Sequence, residues 1–235
     1  MGASMKAVLL WSGGKDSYMA YRQAKQQDHE IICLATFSGD APFKCHDLRG
    51  IMLQSRALRL PGLVRRVKEP YFNGYKNALR ELLESLEIEC AITGDIGTPD
   101  NNHENWMEEV CCDIGLKLIK PLFGIDRKQH LKDLLKYNVS AIITCVSKEW
   151  FGPEWVGRSL DSDCIEELLA MGEKGGFDAC GEDGEYHTFV VDSDEFIKKI
   201  IVSWSGISET NGLWYMKSKD FALAPKNLVV CKDLQ

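Results

Sequence analysis

The residues best suited to chemistry form a short run near the start of the chain, Ser12-Gly-Gly-Lys-Asp-Ser17. Gly13 and Gly14 carry no Cβ, so the chain can turn tightly there and bring its amides close to a ligand. An apolar segment precedes the run and helix-forming residues follow it, which predicts a turn between a strand and a helix. A helix N-terminus attracts anions through its unpaired N–H groups and its partial positive charge. The run therefore predicts a phosphate-binding loop.

The side chains of this loop extend the prediction. Lys15 adds a positive charge, Ser12 and Ser17 add hydroxyl donors, and the carboxylate of Asp16 can hold a magnesium ion. The run differs from the Walker A spacing, because its two glycines are adjacent and the lysine follows at once. A plain glycine turn between the first strand and helix of any α/β domain is the alternative interpretation.

A second cluster of functional side chains lies near the end of the chain, in Cys180-Gly-Glu-Asp-Gly-Glu-Tyr-His-Thr-Phe189. Glu182, Asp183 and Glu185 repel one another at this spacing, which favours a bound cation or a cationic substrate. Gly181 and Gly184 permit a ligand to approach the backbone closely. An acidic hairpin turn exposed to solvent is the alternative interpretation.

Further candidates follow from the ends of predicted strands. In an open parallel sheet, ligands bind at the carboxyl ends of the strands. The second strand ends in Thr36-Phe37, which we expect near a nucleotide base, and the fourth ends in Gly94-Asp95. Asp95 is a candidate contact for magnesium or a substrate amine. His46 opens a helical segment and is either a ligand contact or a solvated capping residue.

The elements that must hold these residues alternate between strand and helix. This pattern predicts a Rossmann-like parallel sheet with right-handed crossovers and helices on both faces. The apolar segment 141–146 is predicted as its last parallel strand, and the chain becomes β-rich beyond it. We predict a domain over residues 1–146 that carries the phosphate-binding loop, and a smaller α+β region over residues 147–235 that carries the acidic block and packs over the carboxyl edge of the sheet.

Composition limits the classes of protein that remain. The 235 residues are 45% hydrophobic and 27% charged, which is typical of a soluble globular protein. No apolar run reaches the roughly 18 residues that span a bilayer, and the net charge of −7 argues against broad contact with nucleic acid. Nine cysteines occur without any C-x-x-C spacing or export signal, which argues against zinc or iron–sulfur ligation. We therefore predict a reduced, cytoplasmic protein without a membrane anchor.

Two resemblances add to this interpretation. The loop resembles the pyrophosphate loop (PP-loop) of the adenine nucleotide α-hydrolase superfamily, the N-type ATP pyrophosphatases, which split ATP into AMP and pyrophosphate. Over most of residues 6–205 the chain resembles the diphthine–ammonia ligases. That resemblance depends on the loop, on Val156-Gly-Arg-Ser-Leu-Asp161, and on the block that begins at Cys180, with the family pattern C-G-E-x-G-E-[YF]-x-T.

The family resemblance implies an ATP-binding domain over residues 1–146 and a substrate-binding domain over residues 147–235. It also implies a reaction and a set of residue roles. In this family ATP activates the carboxylate of diphthine, on a modified histidine of elongation factor 2, as an acyl-adenylate, and ammonia displaces AMP. The implied cofactors and partners are ATP, Mg²⁺, ammonium and elongation factor 2. The implied catalytic residues are Lys15, Asp16, Glu182 and Glu185. The implied ATP-binding residues are Ser12, Gly13, Gly14, Lys15, Asp16, Ser17, Thr36, Phe37, Gly94 and Asp95. The implied substrate-binding residues are His46, Gly181, Glu182, Gly184, Glu185, Tyr186 and His187, with Tyr186 or a nearby tryptophan contacting a trimethylammonium group.

One stretch departs from the family pattern and keeps other functions open. After the fourth strand the family commonly shows Gly-Ala-Ile and then Tyr-Gln-Arg-x-Arg, whereas this chain has Gly94-Asp-Ile-Gly-Thr-Pro-Asp-Asn-Asn-His-Glu104. A PP-loop ligase that amidates a different small carboxylate is one alternative. A tRNA-modifying PP-loop enzyme is a second alternative, although the acidic net charge argues against it. A non-catalytic ATP sensor is a third, although the Lys15–Asp16 pair argues against that one. The sequence does not indicate an oligomeric state.

Overall fold

A computed structural model describes residues 4–39, 47–97 and 106–227. In these ranges the chain forms nine strands and six helices. The strands are β1 (Lys6–Leu10), β2 (Glu30–Ser38), β3 (Gly62–Arg66), β4 (Cys90–Ile92), β5 (Lys117–Ile119), β6 (Ser140–Ser147), β7 (Tyr186–Asp192), β8 (Lys199–Thr210) and β9 (Leu213–Ala224). The helices are α1 (Lys15–Gln26), α2 (Leu48–Leu58), α3 (Tyr71–Leu86), α4 (Trp106–Asp113), α5 (Arg127–Lys136) and α6 (Ser162–Gly172).

The first five strands build a parallel sheet in the order β3-β2-β1-β4-β5. Side chains alternate across it, as the pleat of a strand requires. Ala7 and Leu9 join the core that also contains residues of α1 and α2, whereas Val8 joins the core formed with α3 and α4. Helices therefore cover both faces, which explains the nearly continuous apolar character of these strands. The predicted α/β fold class is confirmed.

The predicted parallel pairing of segment 141–146 is wrong. This segment is β6, which pairs antiparallel with both β7 and β9 in a second sheet of order β7-β6-β9-β8. A strand buried on both faces has the same apolar composition in either kind of sheet, so its sequence does not reveal the direction of its neighbours. The division of the chain into domains at residue 146 stays a prediction.

The two sheets share one hydrophobic core. Leu9 of β1, Tyr18 of α1, Ile51 of α2, Ile143 of β6 and Phe189 of β7 all belong to the same buried cluster. Helix α1 thus lies between the parallel sheet and β7, and the loop that precedes α1 is held against β7. This packing brings the end of β1 and the segment before β7 to one place.

Two further features of the described residues are the buried cysteines and the character of the helices. Cys33 and Cys90 are buried free thiols in the parallel sheet, consistent with their role as small apolar side chains. Within the three described ranges, no helix combines the length and the apolar character that crossing a membrane requires.

Candidate active site

The loop between β1 and α1 turns as its glycines predict. Gly13 has a φ of 83°, a conformation that residues with a Cβ rarely adopt, and Gly14 is the N-cap of α1. The Gly14 amide donates to Ser12 Oγ at 3.3 Å, and Ser17 Oγ donates to the Gly14 carbonyl at 3.0 Å. The N-cap Gly14 supplies no capping side chain, and Thr188 Oγ1 accepts from the Lys15 amide at 3.1 Å, so the amides of Asp16 and Ser17 are the first-turn groups suited to an anion.

A buried glutamine, Gln54, binds the backbone of this loop. Gln54 of α2 donates through Nε2 to the carbonyl oxygens of Gly13 at 2.9 Å and Val190 at 2.8 Å. Its Oε1 accepts from Trp11 Nε1 at 2.9 Å. The side chain is completely buried, and it connects β1, the loop and β7. The sequence analysis missed Gln54, because a glutamine within a helix gives no sign of which distant groups it will contact.

Lys15 and Asp16 form an ion pair at the start of α1. Lys15 Nζ lies 2.7 Å from Asp16 Oδ2, also donates to the Cys180 carbonyl, and lies 5.2 Å from the centre of the Tyr186 ring. Burial opposes the charge of Lys15, but Asp16, Tyr186 and Cys180 together outweigh it and raise the pKa of the lysine. Burial likewise opposes the charge of Asp16, and Lys15 with His130 lowers the pKa of that carboxyl. Both groups are therefore charged at neutral pH.

His130 of α5 contacts the other oxygen of the same carboxylate. Its Nε2 lies 2.8 Å from Asp16 Oδ1, and its side chain is fully buried. The sequence analysis did not identify His130 as a site residue. A single histidine on an amphipathic helix carries no local signal of such a contact, which depends on how α5 packs against α1.

A cavity of about 340 Å³ opens at the carboxyl end of the parallel sheet. Seven of the ten predicted ATP-binding residues line it: Ser12, Asp16, Ser17, Thr36, Phe37, Gly94 and Asp95. Two aromatic side chains that the sequence analysis did not identify, Tyr75 and Trp106, complete the wall; their ring centres lie 4.8 Å apart. Its place at the strand ends between β1, β2 and β4 is the ligand position expected for an open α/β sheet.

A second cavity, of about 280 Å³, adjoins the first on the side of β7. Ser12, Asp16 and Glu182 line both cavities. The remaining lining residues of the second cavity are Gly14, Lys15, Gly181, Tyr186, His187 and Thr188. The structure thus brings the two sequence motifs, which are more than 160 positions apart, into one continuous site.

Gly94 permits the close approach of β4 to α1. A Cβ at this position would lie 2.7 Å from the carbonyl carbon of Asp16 and 2.8 Å from the amide nitrogen of Ser17. Both are backbone atoms at the start of a helix, so they cannot move away without distorting α1. The residue is therefore a glycine for a steric reason, and its place in the larger cavity follows from that contact.

Two carboxyl groups in the larger cavity have raised pKa values. Burial, strengthened by the charge of Asp16, raises the pKa of Glu182 to about 7, although Lys15 and the Ile96 amide act in the opposite direction. The Ile96 amide donates to Glu182 Oε2 at 3.1 Å. Burial also raises the pKa of Asp95, against the effects of Thr93 and Lys120. The cavity therefore holds carboxyl groups that a cation would stabilise in their charged form.

Glu185 does not face either cavity. Its Oε1 accepts from the Asp178 amide at 2.7 Å and its Oε2 from the Asp183 amide at 3.1 Å, and the side chain is buried. Gly184 is likewise absent from both linings, with a φ of 89° in the turn. These two predicted site residues shape the turn before β7. Arg127 holds the same turn through Asp178 at 2.9 Å.

The other predicted positions can be located as follows. Tyr186 is buried, its hydroxyl donates to the Ala179 carbonyl at 2.7 Å, and its ring contacts Lys15. His187 lines the smaller cavity, and burial together with Lys15 lowers its pKa. Gly13 lines neither cavity, and its backbone conformation forms the turn of the loop. His46 lies outside the described residues.

The donors for a magnesium ion are oxygen atoms only. Asp16, Asp95 and Glu182 all line the larger cavity, and carboxylates suit this hard cation. The described residues contain no group of three or more potential ligands gathered closely enough to hold a metal by themselves. Mg²⁺ commonly takes one or two carboxylates and completes its shell with phosphates and water. The donor set fits a nucleotide-bound ion better than a resident one.

The fold and the loop define an α/β protein with a glycine turn between its first strand and its first helix. Two family models match it: the Diphthamide synthase N-terminal domain over residues 5–118 and the Diphthamide synthase C-terminal domain over residues 126–224. The chain belongs to the diphthine–ammonia ligase family.

Relatives from several organisms agree with this assignment. The diphthine–ammonia ligases of Mus musculus and Homo sapiens are each 28% identical to this chain, covering 86% of it and 84% and 85% of their own lengths. The enzyme of Schizosaccharomyces pombe is 26% identical over 92% of this chain but only 39% of its own length.

A solved structure from Methanocaldococcus jannaschii, described as a predicted subunit of tRNA methyltransferase, has a TM-score of 0.46 and 15% identity, covering 81% of this chain and 98% of that one.

Proposed function

We propose that this protein is an ATP-dependent ligase that activates a carboxylate as an acyl-adenylate and passes the acyl group to ammonia. The observation that carries the proposal is the junction of the two cavities at Ser12, Asp16 and Glu182, in a chain of this family. The larger cavity offers a nucleotide site and the smaller one an acceptor site. Their shared wall is where an α-phosphate and a carboxylate can meet.

The larger cavity suits ATP in this proposal. The wall formed by Phe37, Tyr75 and Trp106 offers ring faces to the base, and the start of α1 offers amide groups to the phosphates. Lys15 supplies positive charge from the adjoining cavity. Asp16 and Asp95 are the residues that would hold Mg²⁺, which neutralises phosphate charge when it is bound.

The smaller cavity suits the acceptor and the nitrogen donor. A carboxylate oxygen of the acceptor attacks the α-phosphorus and pyrophosphate leaves; ammonia then attacks the acyl carbon, AMP leaves, and a proton is released from nitrogen. Glu182 faces both cavities, and its carboxylate can hold an ammonium ion or a trimethylammonium group. His187, whose lowered pKa keeps it neutral at pH 7, lines the smaller cavity together with Glu182. In this assignment Glu182 acts on the substrate, and Glu185 supports it by holding the turn.

Diphthine on elongation factor 2 is the acceptor that we propose, in the cytoplasm, because the relatives carry the name diphthine–ammonia ligase. A different small carboxylate is the second candidate. It is favoured by one specific feature, the replacement of the basic run after β4 by the acidic and amide-rich segment 94–104.

The test is an assay for AMP and pyrophosphate with Mg-ATP and ammonium, with and without elongation factor 2 that carries diphthine. AMP formed only with the factor, together with conversion of diphthine to its amide, is the expected result. AMP formed with small carboxylates and not with the factor would favour the second candidate. ATP binding without any AMP, for every acceptor offered, would contradict the ligase proposal and favour a nucleotide sensor.

A further inference from the structure

We propose that His130 is a positioning residue of the ATP site, which holds the Asp16 carboxylate in the orientation that the loop requires. The inference rests on the proposed function, because it assigns a role within the same nucleotide site. It concerns a residue that lies more than 110 positions from the loop and that no sequence motif identifies.

The contact between the two side chains is direct. His130 Nε2 lies 2.8 Å from Asp16 Oδ1, and the imidazole has no exposed surface. Asp16 Oδ2 meets Lys15 Nζ at 2.7 Å. Each carboxylate oxygen therefore has its own donor, on opposite sides, and the pair of donors fixes the rotation of the carboxylate about its Cβ–Cγ bond.

Helix α5 holds the imidazole rigidly. Its N-cap, Asp126, accepts from the Gln129 amide at 2.8 Å, and its carbonyl accepts from the His130 amide at 2.9 Å. Leu131 and Leu134 of the same helix are fully buried in the shared core. A side chain on so firmly packed a helix has few alternative rotamers, which suits a residue that must aim another one.

The histidine has a definite tautomer in this setting. Among the described residues, Nδ1 of His130 has no hydrogen-bond partner. A proton on Nδ1 would leave a buried N–H group unpaired, which is unfavourable. The proton therefore resides on Nε2, which donates it to Asp16, and this is the arrangement in which a histidine can orient a carboxylate.

His130 acts only through Asp16. The imidazole lines neither cavity, so a nucleotide in the site does not touch it. Asp16 lines both cavities and holds Lys15, whose Nζ also donates to the Cys180 carbonyl. The contacts thus run from α5 through Asp16 and Lys15 to the turn before β7. Loss of the histidine would free Asp16 Oδ1, so that the carboxylate could rotate and its contact with Lys15 would lose its fixed geometry.

The experiment compares four variants by their dissociation constant for a non-hydrolysable ATP analogue with Mg²⁺, measured by calorimetry. His130→Leu removes the donor and is expected to weaken binding by about 10- to 100-fold, the range seen when residues that orient a ligand-binding group are removed. His130→Gln keeps an N–H group at a similar reach and is expected to restore most of the affinity. Asp16→Ala, which removes the acceptor, and the double variant Asp16→Ala/His130→Leu complete a double-mutant cycle.

The cycle separates positioning from general support of the fold. If His130 acts through Asp16, the change to leucine in the Asp16→Ala background alters the dissociation constant by no more than about 2-fold, the scatter of independent effects. A control for core damage is Leu116→Ala, which removes buried volume from the core formed with α3 and α4 and leaves the packing of α5 intact. It is expected to lower the melting temperature and to leave the dissociation constant unchanged.

Several results would overturn the inference. Unchanged affinity in His130→Leu, or an equal loss in the presence and absence of Asp16, would show that the histidine only supports the core. If His130→Leu does not fold, His130→Asn replaces it in the cycle, because its shorter amide does not reach Asp16. A wild-type protein that binds no ATP analogue would overturn the proposed function, whereas normal binding by every His130 variant would overturn this inference alone.

Discussion

The Lys15 amide donates a hydrogen bond to Thr188 Oγ1 at 3.1 Å, and the two residues are 173 positions apart. The Val190 amide donates to the Gly13 carbonyl at 3.0 Å in the same place. Strand β7 thus supports the loop between β1 and α1. The last residues of the C-terminal block therefore hold the loop between β1 and α1 in shape, in addition to the substrate-binding role that we propose for the block.

Removal of the Thr188 hydroxyl tests this support. Thr188→Val keeps the shape of the side chain but leaves the buried Lys15 amide without its acceptor. We expect the free energy of unfolding to fall by about 1–3 kcal/mol, and the KM for ATP to rise. Chemical denaturation and steady-state kinetics measure the two effects. Thr210→Val, on the partly exposed β8–β9 hairpin, is the control; equal effects at both positions would contradict the claim.

Replacement of Lys15 tests the loop chemistry. Lys15→Met keeps the aliphatic stem and removes the charge, so we expect pyrophosphate release to fall by about 10²-fold or more. The loss of the contact to the Cys180 carbonyl adds a modest decrease in melting temperature. Lys25→Ala, on the exposed side of α1, serves as the control. Unchanged pyrophosphate release in Lys15→Met would contradict the assignment of the loop.

A methyl group at Gly94 tests the approach of β4 to α1. The Cβ of Gly94→Ala would lie 2.7 Å from the backbone of Asp16, so the start of α1 must move. We expect a loss of about 1–3 kcal/mol in the free energy of unfolding together with weaker ATP binding. Gly39→Ala is the matched control, since its Cβ would meet only ordinary contacts with Tyr71 at 3.6 Å and beyond. Full ATP affinity in Gly94→Ala would show that the contact does not shape the site.

The raised pKa of Glu182 predicts a pH dependence of stability. Burial and the charge of Asp16 raise this pKa from 4.5 to about 7, so the folded protein holds the proton more tightly than the unfolded chain does. The resulting stabilisation is fully present below pH 4.5 and is lost as the pH rises through about 7. Urea unfolding between pH 5 and 8, without metal or nucleotide, should therefore show a decline that Glu182→Gln lessens.

The control for this measurement is Glu81→Gln, because the Glu81 side chain of the wild-type protein is 70% exposed. This change is expected to leave the slope of stability against pH as it is in the wild-type protein. A Glu182→Gln variant with the wild-type slope would show that the carboxyl titrates near its ordinary pKa, and that the cavity does not hold it in a protonated form at mildly acidic pH.

The sequence predicted much of the parallel half of the fold and failed at one strand. Alternating apolar strands and amphipathic helices located β1 to β5, because these patterns are local properties of the chain. They did not reveal that β6 turns away into an antiparallel sheet, since strand direction depends on partners distant in sequence. The side chain of Glu185 shows the same limit: its acidic neighbourhood suggested a ligand, whereas its carboxylate binds backbone amides of its own turn.

What the sequence by itself determined is the chemistry of the two motifs: a glycine turn with Lys15 and Asp16, and an acidic block with Glu182. Local residue types decide such features, because backbone freedom, charge and helix initiation are set by near neighbours. Only the tertiary structure decided that Gln54, His130 and Thr188 hold this loop. Those contacts join residues 41 to 173 positions apart. They exist because the two sheets pack around α1 and bury polar groups from distant parts of the sequence together, and each buried polar group needs a hydrogen-bond partner.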